Sequence, residues 1–531
     1  MLTEASFLST GYSSYSRELL SRLYNTGKYE VAEVSVYGHA GDERFNQIPW
    51  KCYLTTPQSP EEEKEYYSNI TNEFGEYKIN DILLDFKPDF VLGFKDFWMD
   101  SFLFKSPYRR LFRLIYMAIV DSAPQNIEWI DTYNTADALL TYSEWAQNYL
   151  KSVYDKLPLK GTASPCGNTE IFKPCINKRQ HRKKYGLDEN AKIFGTVMRN
   201  QPRKQYLDLA NHFCSWLDKT GYDDCFLYFH CSVLDVGWNM ADIVKNCTHP
   251  NKILFSYKCA QCDNFEISYF QDAVSVCSKC KQAALSSPGT QNGVSPQELS
   301  DIYNLFDVYI QYATNEGFGI PIVEAASCGI PSTVINFSAM CDFVSKLGSI
   351  PMEPKTLISE SATHRKFATM DENELHKSLD YFIGNWKNIK QLGMKTKILS
   401  NKNYNWDNTA KVWMNIIDGF NIEDRWNLPP NFHNPAPSEL IPMSEDLSTI
   451  VKWMLVNVAG RPDLLNTSYH ARLLRDVLWQ KERSSGGTVS EMSLQRPRLQ
   501  DFKLQDCYNS LRNMREDINR WEQKRIESLN K

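Results

Sequence analysis

Two carboxylates flank a glycine-rich turn with seven residues between them, in Asn315-Glu316-Gly317-Phe318-Gly319-Ile320-Pro321-Ile322-Val323-Glu324. Gly317 and Gly319 let the backbone turn tightly and approach a ligand. Pro321 suits the first turn of a following helix, and Gly329 suits its C-terminal cap. N–H groups exposed at such a helix start favour a phosphate or a polyhydroxyl ligand. Glu316 and Glu324 are acceptor-only groups, suited to gripping sugar and ribose hydroxyls. The plain alternative is a surface loop with two solvated glutamates.

A second constellation is Cys259-x-x-Cys262 and Cys277-x-x-Cys280, with fourteen residues between the pairs. Four thiolates at that spacing predict a closed structural Zn²⁺ site with no open position, and so no catalytic role. The other ten of the fourteen cysteines are scattered singly, which points to metal in a reducing compartment rather than a disulfide framework. The third is the stretch 105–113, where Lys105, Arg109, Arg110 and Arg113 alternate with Phe104, Tyr108, Leu111 and Phe112. Such a basic face fits an anionic membrane or a nucleic-acid backbone, or is simply solvated.

These groups need elements to hold them. A chain of 531 residues, 42% hydrophobic and 23% charged, predicts two or three globular domains rather than disorder. The net charge of −5 gives no global pull towards nucleic acid or membrane. No run approaches the ~20 apolar residues of a membrane span, since 111–120 is half that and contains Arg113. With no signal-like N-terminus either, the expectation is a cytoplasmic protein.

Residues 1–170 alternate apolar runs (2–8, 31–37, 89–93, 136–142) with amphipathic stretches, such as the one through Arg17, Leu19, Leu20 and Leu23. A turn-rich hinge at 168–178 follows. Residues 171–400 repeat the alternation, with strands at 192–197, 225–230, 252–257 and 307–313 and helices at 205–219, 296–305 and 321–328. The expectation is an α/β fold of two doubly wound, Rossmann-like domains facing a cleft, with ligands at the carboxyl ends of the strands. Residues 258–292 form a zinc-ribbon insertion, and 421–531 a Pro-rich linker (427–442) and helical extension. In that extension Leu504, Cys507, Leu511, Met514, Ile518 and Trp521 line one helical face, which packs on this chain or joins two protomers.

The glycine-rich segment, from Gly293 through Val334, closely resembles the E-x7-E region of glycosyltransferase family four, whose members have the GT-B fold. Other landmarks resemble the family in order: the loop and helix 9–20, the strand entry Lys87-Pro88-Asp89-Phe90-Val91, and Thr141-Tyr142-Ser143-Glu144-Trp145. The hinge 167–174, the phosphate segment 198–204 and 405–410 complete the series; the last implies a helix, 401–420, returning to the first domain. The resemblance implies a retaining transfer from a nucleotide sugar to an acceptor hydroxyl without a catalytic metal. It implies that Glu316 and the N–H groups of Gly317, Phe318 and Gly319 bind the donor sugar, and that Glu324 binds ribose. Arg199 and Lys204, with Arg203 beside them, are implied to neutralise the leaving diphosphate, and Gly11 to admit donor phosphate and acceptor. Where relatives carry a first-lobe His, this chain offers Asp121, as a sugar contact or a turn cap. The hinge departs at Cys166 and at Asn168-Thr169. The acceptor stays open: a polysaccharide, lipid or small molecule, or alternatively a DNA base held by the ribbon and the basic stretch. A non-catalytic GT-B binding module is the third reading.

Overall fold

The structure, a computed structural model, describes residues 1–233, 235–271, 274–289, 292–361, 363–444, 446–485 and 502–530. Seven strands build the first sheet: β1 (Leu2–Glu4), β2 (Ala32–Val36), β3 (Lys51–Leu54), β4 (Phe90–Gly93), β5 (Arg113–Ala118), β6 (Ala138–Thr141) and β7 (Leu159–Thr162). All pair parallel in the order β3-β2-β1-β4-β5-β6-β7. From Leu114 to Ala118, β5 is buried at every residue, because helices cover both faces of a parallel sheet.

The second sheet contains β8 (Lys192–Val197), β9 (Cys225–His230), β10 (Ile253–Cys259), β11 (Phe265–Tyr269), β12 (Ser275–Val276), β13 (Ala283–Ser286), β14 (Val308–Gln311), β15 (Ser332–Ile335) and β16 (Ile350–Met352). Its parallel centre runs β10-β9-β8-β14-β15-β16, the doubly wound order whose reversal falls between β8 and β14. Beyond β10 the ribbon strands add antiparallel: β11 pairs along Leu254–Lys258, and β13 takes Lys258 and Cys259. The ribbon thus continues the lobe's own sheet rather than standing apart as a small hairpin. Strands β17 (Leu357–Ser359) and β18 (Lys366–Ala368) form a separate two-stranded ribbon.

The helix Trp406–Asp418 returns to the first lobe and packs on the helix Gly11–Asn25. There the Trp413 indole donates to Tyr15 at 2.8 Å, and Tyr15 donates to the Ala163 carbonyl at 2.9 Å. The sulfurs of Cys214 and Cys247 lie in direct contact. Among the described residues, no helix is long and apolar enough to cross a membrane.

The C-terminal helix Phe502–Leu529 lies on its own chain. Leu504, Cys507, Tyr508 and Leu511 join a core with Ile450, Val451 and Met454, and Trp521 packs edge-on against Tyr108. The face that could have paired two protomers is therefore already covered. The same extension lies over 105–113: Arg110 donates to Glu522 at 2.6 Å and to the Pro429 carbonyl at 3.0 Å. Arg109 pairs with Asp137 at 2.8 Å, Arg113 with Asp137 at 3.7 Å, and Lys105 with Glu76 at 3.6 Å. The basic stretch, open in the sequence to a membrane, a nucleic acid or plain solvent, is ion-paired within the chain.

Candidate functional site

Strand β14 ends at Gln311, and the turn 314–319 leads into the helix Ile320–Ser327 at the mouth between the lobes. Glu316 is 6% exposed and fully engaged. Its Oε1 accepts from Lys204 Nζ and, at 2.6 Å, from Gln311 Nε2; its Oε2 accepts from Arg203 Nη1 at 2.9 Å. Its backbone N–H donates to Ser338 Oγ at 3.0 Å. Burial alone would raise this carboxyl, but the charges of Arg203 and Lys204 outweigh burial and hold it down at about 2. Lys204 is lowered to about 8, by burial first and by Arg203 next, against the pull of Glu316.

These cations arrive together because β8 stops at Val197 and the 3-10 turn Pro202–Lys204 hands the chain to the helix Tyr206–Thr220. Two contacts lock that turn to the carboxylate's own loop: Thr314 N–H donates to the Arg203 carbonyl at 2.8 Å, and Arg203 Nη1 donates to the Asn315 carbonyl at 2.9 Å. Arg199 is placed differently. It is an exposed group whose guanidinium forks onto Asp235, with both bonds at 2.9 Å, and it is not a partner of Glu316.

Gly319 has φ +119°, which bars a side chain, and a Cβ on Gly317 would come within 2.8 Å of Ile119 in the first lobe. Phe318 between them is 2% exposed and packs on Tyr142, Phe343 and Tyr404, with centroids 5.0–5.7 Å away. Its ring is a plug, which leaves its backbone N–H for any ligand. Gly11, exposed at the start of its helix, faces the donor-side helix: a Cβ there would meet Ile320 at 3.4 Å.

Glu324, on the following helix, is 7% exposed and accepts from the Tyr303 hydroxyl at 2.7 Å. Burial pushes it up to about 7, with the Tyr303 bond and the charge of Arg17 opposing. Asp121, just past β5, bridges the lobes: it accepts from Asn315 Nδ2 at 2.7 Å, from Ser122 Oγ at 2.9 Å and from Arg365 Nη1 at 3.5 Å. Sequence reasoning passed over Gln311, Ser338, Tyr303 and Asp96. Asp96 follows β4 in Gly93-Phe94-Lys95-Asp96, and it is raised by burial and by neighbouring Asp121 while Arg203 opposes. Its place directly after a strand's carboxyl end was the available signal.

Away from the cleft, the sulfurs of Cys259, Cys262, Cys277 and Cys280 all lie within 4.8 Å of one another, and Cys259–Cys280 and Cys262–Cys277 approach to 3.6 and 3.7 Å. Four Zn–S bonds of about 2.3 Å in a tetrahedron require sulfur separations of about 3.8 Å, so the donor set fits zinc. Both knuckles close alike: Asp263 and Lys281, each following a second cysteine, have φ 59° and 62° and donate back to the carbonyls of Cys259 and Cys277. Lys258 ties the ribbon to the donor side through Asp263 at 2.9 Å and Glu298 at 2.8 Å. Glu298 caps the helix Pro296–Tyr303, which ends on the tyrosine that holds Glu324.

Residues 290–391, the part of the second lobe carrying the carboxylate turn, match the family of glycosyl transferases group 1. The chain has the GT-B glycosyltransferase fold. Solved structures similar to it include a glycosyltransferase from Rickettsia africae (TM-score 0.54, 13% identity, 77% of this chain and 95% of that one). Sucrose-phosphate synthase from Thermosynechococcus elongatus gives 0.55 at 12% identity, over 79% and 96% of the two chains. HepE from Anabaena, in complex with UDP-glucose, gives 0.54 at 11% identity, over 78% and 97%. No curated protein matches the chain by sequence. In this GT-B cleft the group 1 segment supplies Glu316 and Glu324, while Gly11, Asp96 and Asp121 face it from the other lobe.

Proposed function

We propose that the protein transfers a sugar from a nucleotide-sugar donor to an acceptor hydroxyl, with retention and without a catalytic metal. The observation that carries this reading is Glu316, buried and ionised between Arg203 and Lys204 at the mouth of the Gly317-Phe318-Gly319 turn. A carboxylate fixed beside backbone N–H groups suits sugar hydroxyls, and the two cations stand where leaving-group charge would develop. Glu324, one turn into the helix, suits ribose. In the transfer, the bond from the anomeric carbon to the diphosphate breaks as the acceptor oxygen bonds on the same face. The acceptor's proton passes to the departing phosphate oxygen. The UDP-glucose held by the Anabaena structure supports a nucleotide-sugar donor. A polysaccharide, lipid or small-molecule acceptor is favoured over a nucleic acid, because the basic stretch 105–113 is ion-paired within the chain. The four-cysteine cluster is assigned a structural Zn²⁺.

Glu316→Gln tests the assignment. It keeps the shape and removes the charge, so transfer should fall at least about tenfold, equivalent to roughly 1.4 kcal/mol in the transition state. Turnover near that of the unaltered protein, in a variant with unchanged melting temperature, would remove Glu316 from the site.

A further inference from the structure

The helix Ile389–Asn403 runs along the outside of the second lobe with its inner face closed. Gly393 lies against Gly329, Thr396 donates to the Leu347 carbonyl at 3.3 Å, and Ser400 is buried. Its outer face is different. Lys390, Met394, Ile398 and Lys402 follow at four-residue spacing, so they form one stripe along the axis, with Lys395 alongside. Met394 and Ile398 are 48% and 65% exposed and, with Lys390 and Lys395, border an open depression of ≈ 460 Å³.

The charge along this helix is of one sign. Between residues 386 and 404 the chain carries Lys387, Lys390, Lys395, Lys397 and Lys402 and neither Asp nor Glu. Among the described residues none of these five pairs with a carboxylate, whereas nearby Lys377 takes Glu374 and Lys346 takes Glu144. Two bared aliphatic side chains bracketed by unpaired ammonium groups form a local cationic patch on a chain of net charge −5.

We propose that this stripe docks the protein on an anionic membrane surface, with Met394 and Ile398 entering the headgroup region and the lysines meeting lipid phosphates. A purely polyanionic partner would engage the lysines and give the two aliphatic side chains nothing to do. Two inserted side chains make the attachment reversible and oriented, not a permanent anchor. The inference is independent of the transfer reading, since no residue of the stripe belongs to the cleft.

The test is co-sedimentation of the full chain with vesicles of phosphatidylcholine alone and of phosphatidylcholine mixed with phosphatidylglycerol. Binding should appear on the mixed vesicles only and weaken as salt is raised. The pair Lys390→Glu and Lys395→Glu should lower partitioning by about tenfold or more, and Ile398→Asp should do the same with every lysine kept. Melting temperature and nucleoside-diphosphate binding should stay unchanged in each variant, which separates docking from folding. Equal binding to both vesicle types, absence of binding to either, or binding that survives the lysine reversals overturns the proposal. So does retention on heparin as tight as on vesicles together with indifference to Ile398→Asp, which would mark a polyanion site instead.

Discussion

Glu316 and Glu324 are buried to the same degree, yet their neighbours give them opposite protonation. Glu316 meets two cations and stays ionised, at about 2. Glu324 meets a tyrosine hydroxyl and the more distant charge of Arg17, and burial lifts it to about 7. A carboxyl raised from its ordinary 4.5 takes up a proton on folding, so its contribution to stability is complete below pH 4.5 and is lost as pH rises through 7. Holding the ionised form costs up to about 3 kcal/mol at pH 8. Glu324→Gln should therefore stabilise the ligand-free protein at pH 8 but hardly at pH 4.5, as read from denaturant unfolding at both values. A difference independent of pH would mean that Glu324 keeps an ordinary titration. Ribose hydroxyls donate to the ionised form, so nucleoside binding should strengthen between pH 6 and pH 8, and in Glu324→Gln this slope should vanish.

At the level of elements, the sequence was most legible where strands are buried on both faces. Apolar runs bounded by charged turns mark 192–197 and 225–230, and β8 and β9 occupy those spans. Strands β3 and β7 escaped notice because Lys51-Cys52-Tyr53-Leu54 and Leu159-Lys160-Gly161-Thr162 are short and partly exposed, with no apolar run to betray them. The carboxylate turn was readable because glycine, proline and glutamate declare their roles locally. Gln311, Ser338 and Tyr303 were not, because their part depends on what the fold brings near. The ribbon illustrates both sides: its cysteines announced a metal, but nothing in their spacing showed β11 and β13 extending the lobe's sheet. Cys277→Ser should release zinc, by elemental analysis, and expose the amides of 258–286 to hydrogen exchange, since apo knuckles have little core of their own. Because Lys258 links the knuckle to Glu298 and onward to Tyr303 and Glu324, nucleoside-diphosphate affinity should fall about fivefold or more. Zinc lost with affinity intact would confine the ribbon to bracing the sheet edge.

Across the whole molecule, the C-terminal extension belongs to the first lobe as firmly as its own helices do. Arg525, 1% exposed, donates to the carbonyls of Trp426 and Leu428 and pairs with buried Glu522 at 2.8 Å, while the Trp426 indole donates to the Pro88 carbonyl at 3.0 Å. Arg525→Ala strips two linker carbonyls and half-pairs a buried carboxylate, so it should destabilise the first lobe by about 3 kcal/mol, measurable by denaturant unfolding. A cost under about 0.5 kcal/mol, ordinary for a surface site, would show that the linker is held elsewhere. The cleft itself is bridged at Asn315, which donates to Asp121 in the first lobe while the next residue, Glu316, is clasped by Arg203 and Lys204 in the second. One peptide bond separates a tether across the gap from the carboxylate assigned to the sugar. On the proposed function, any parting of the lobes that breaks the Asn315–Asp121 bond would pull on the residue next to Glu316, so loosening the sugar site and opening the cleft to release a nucleotide would be one event.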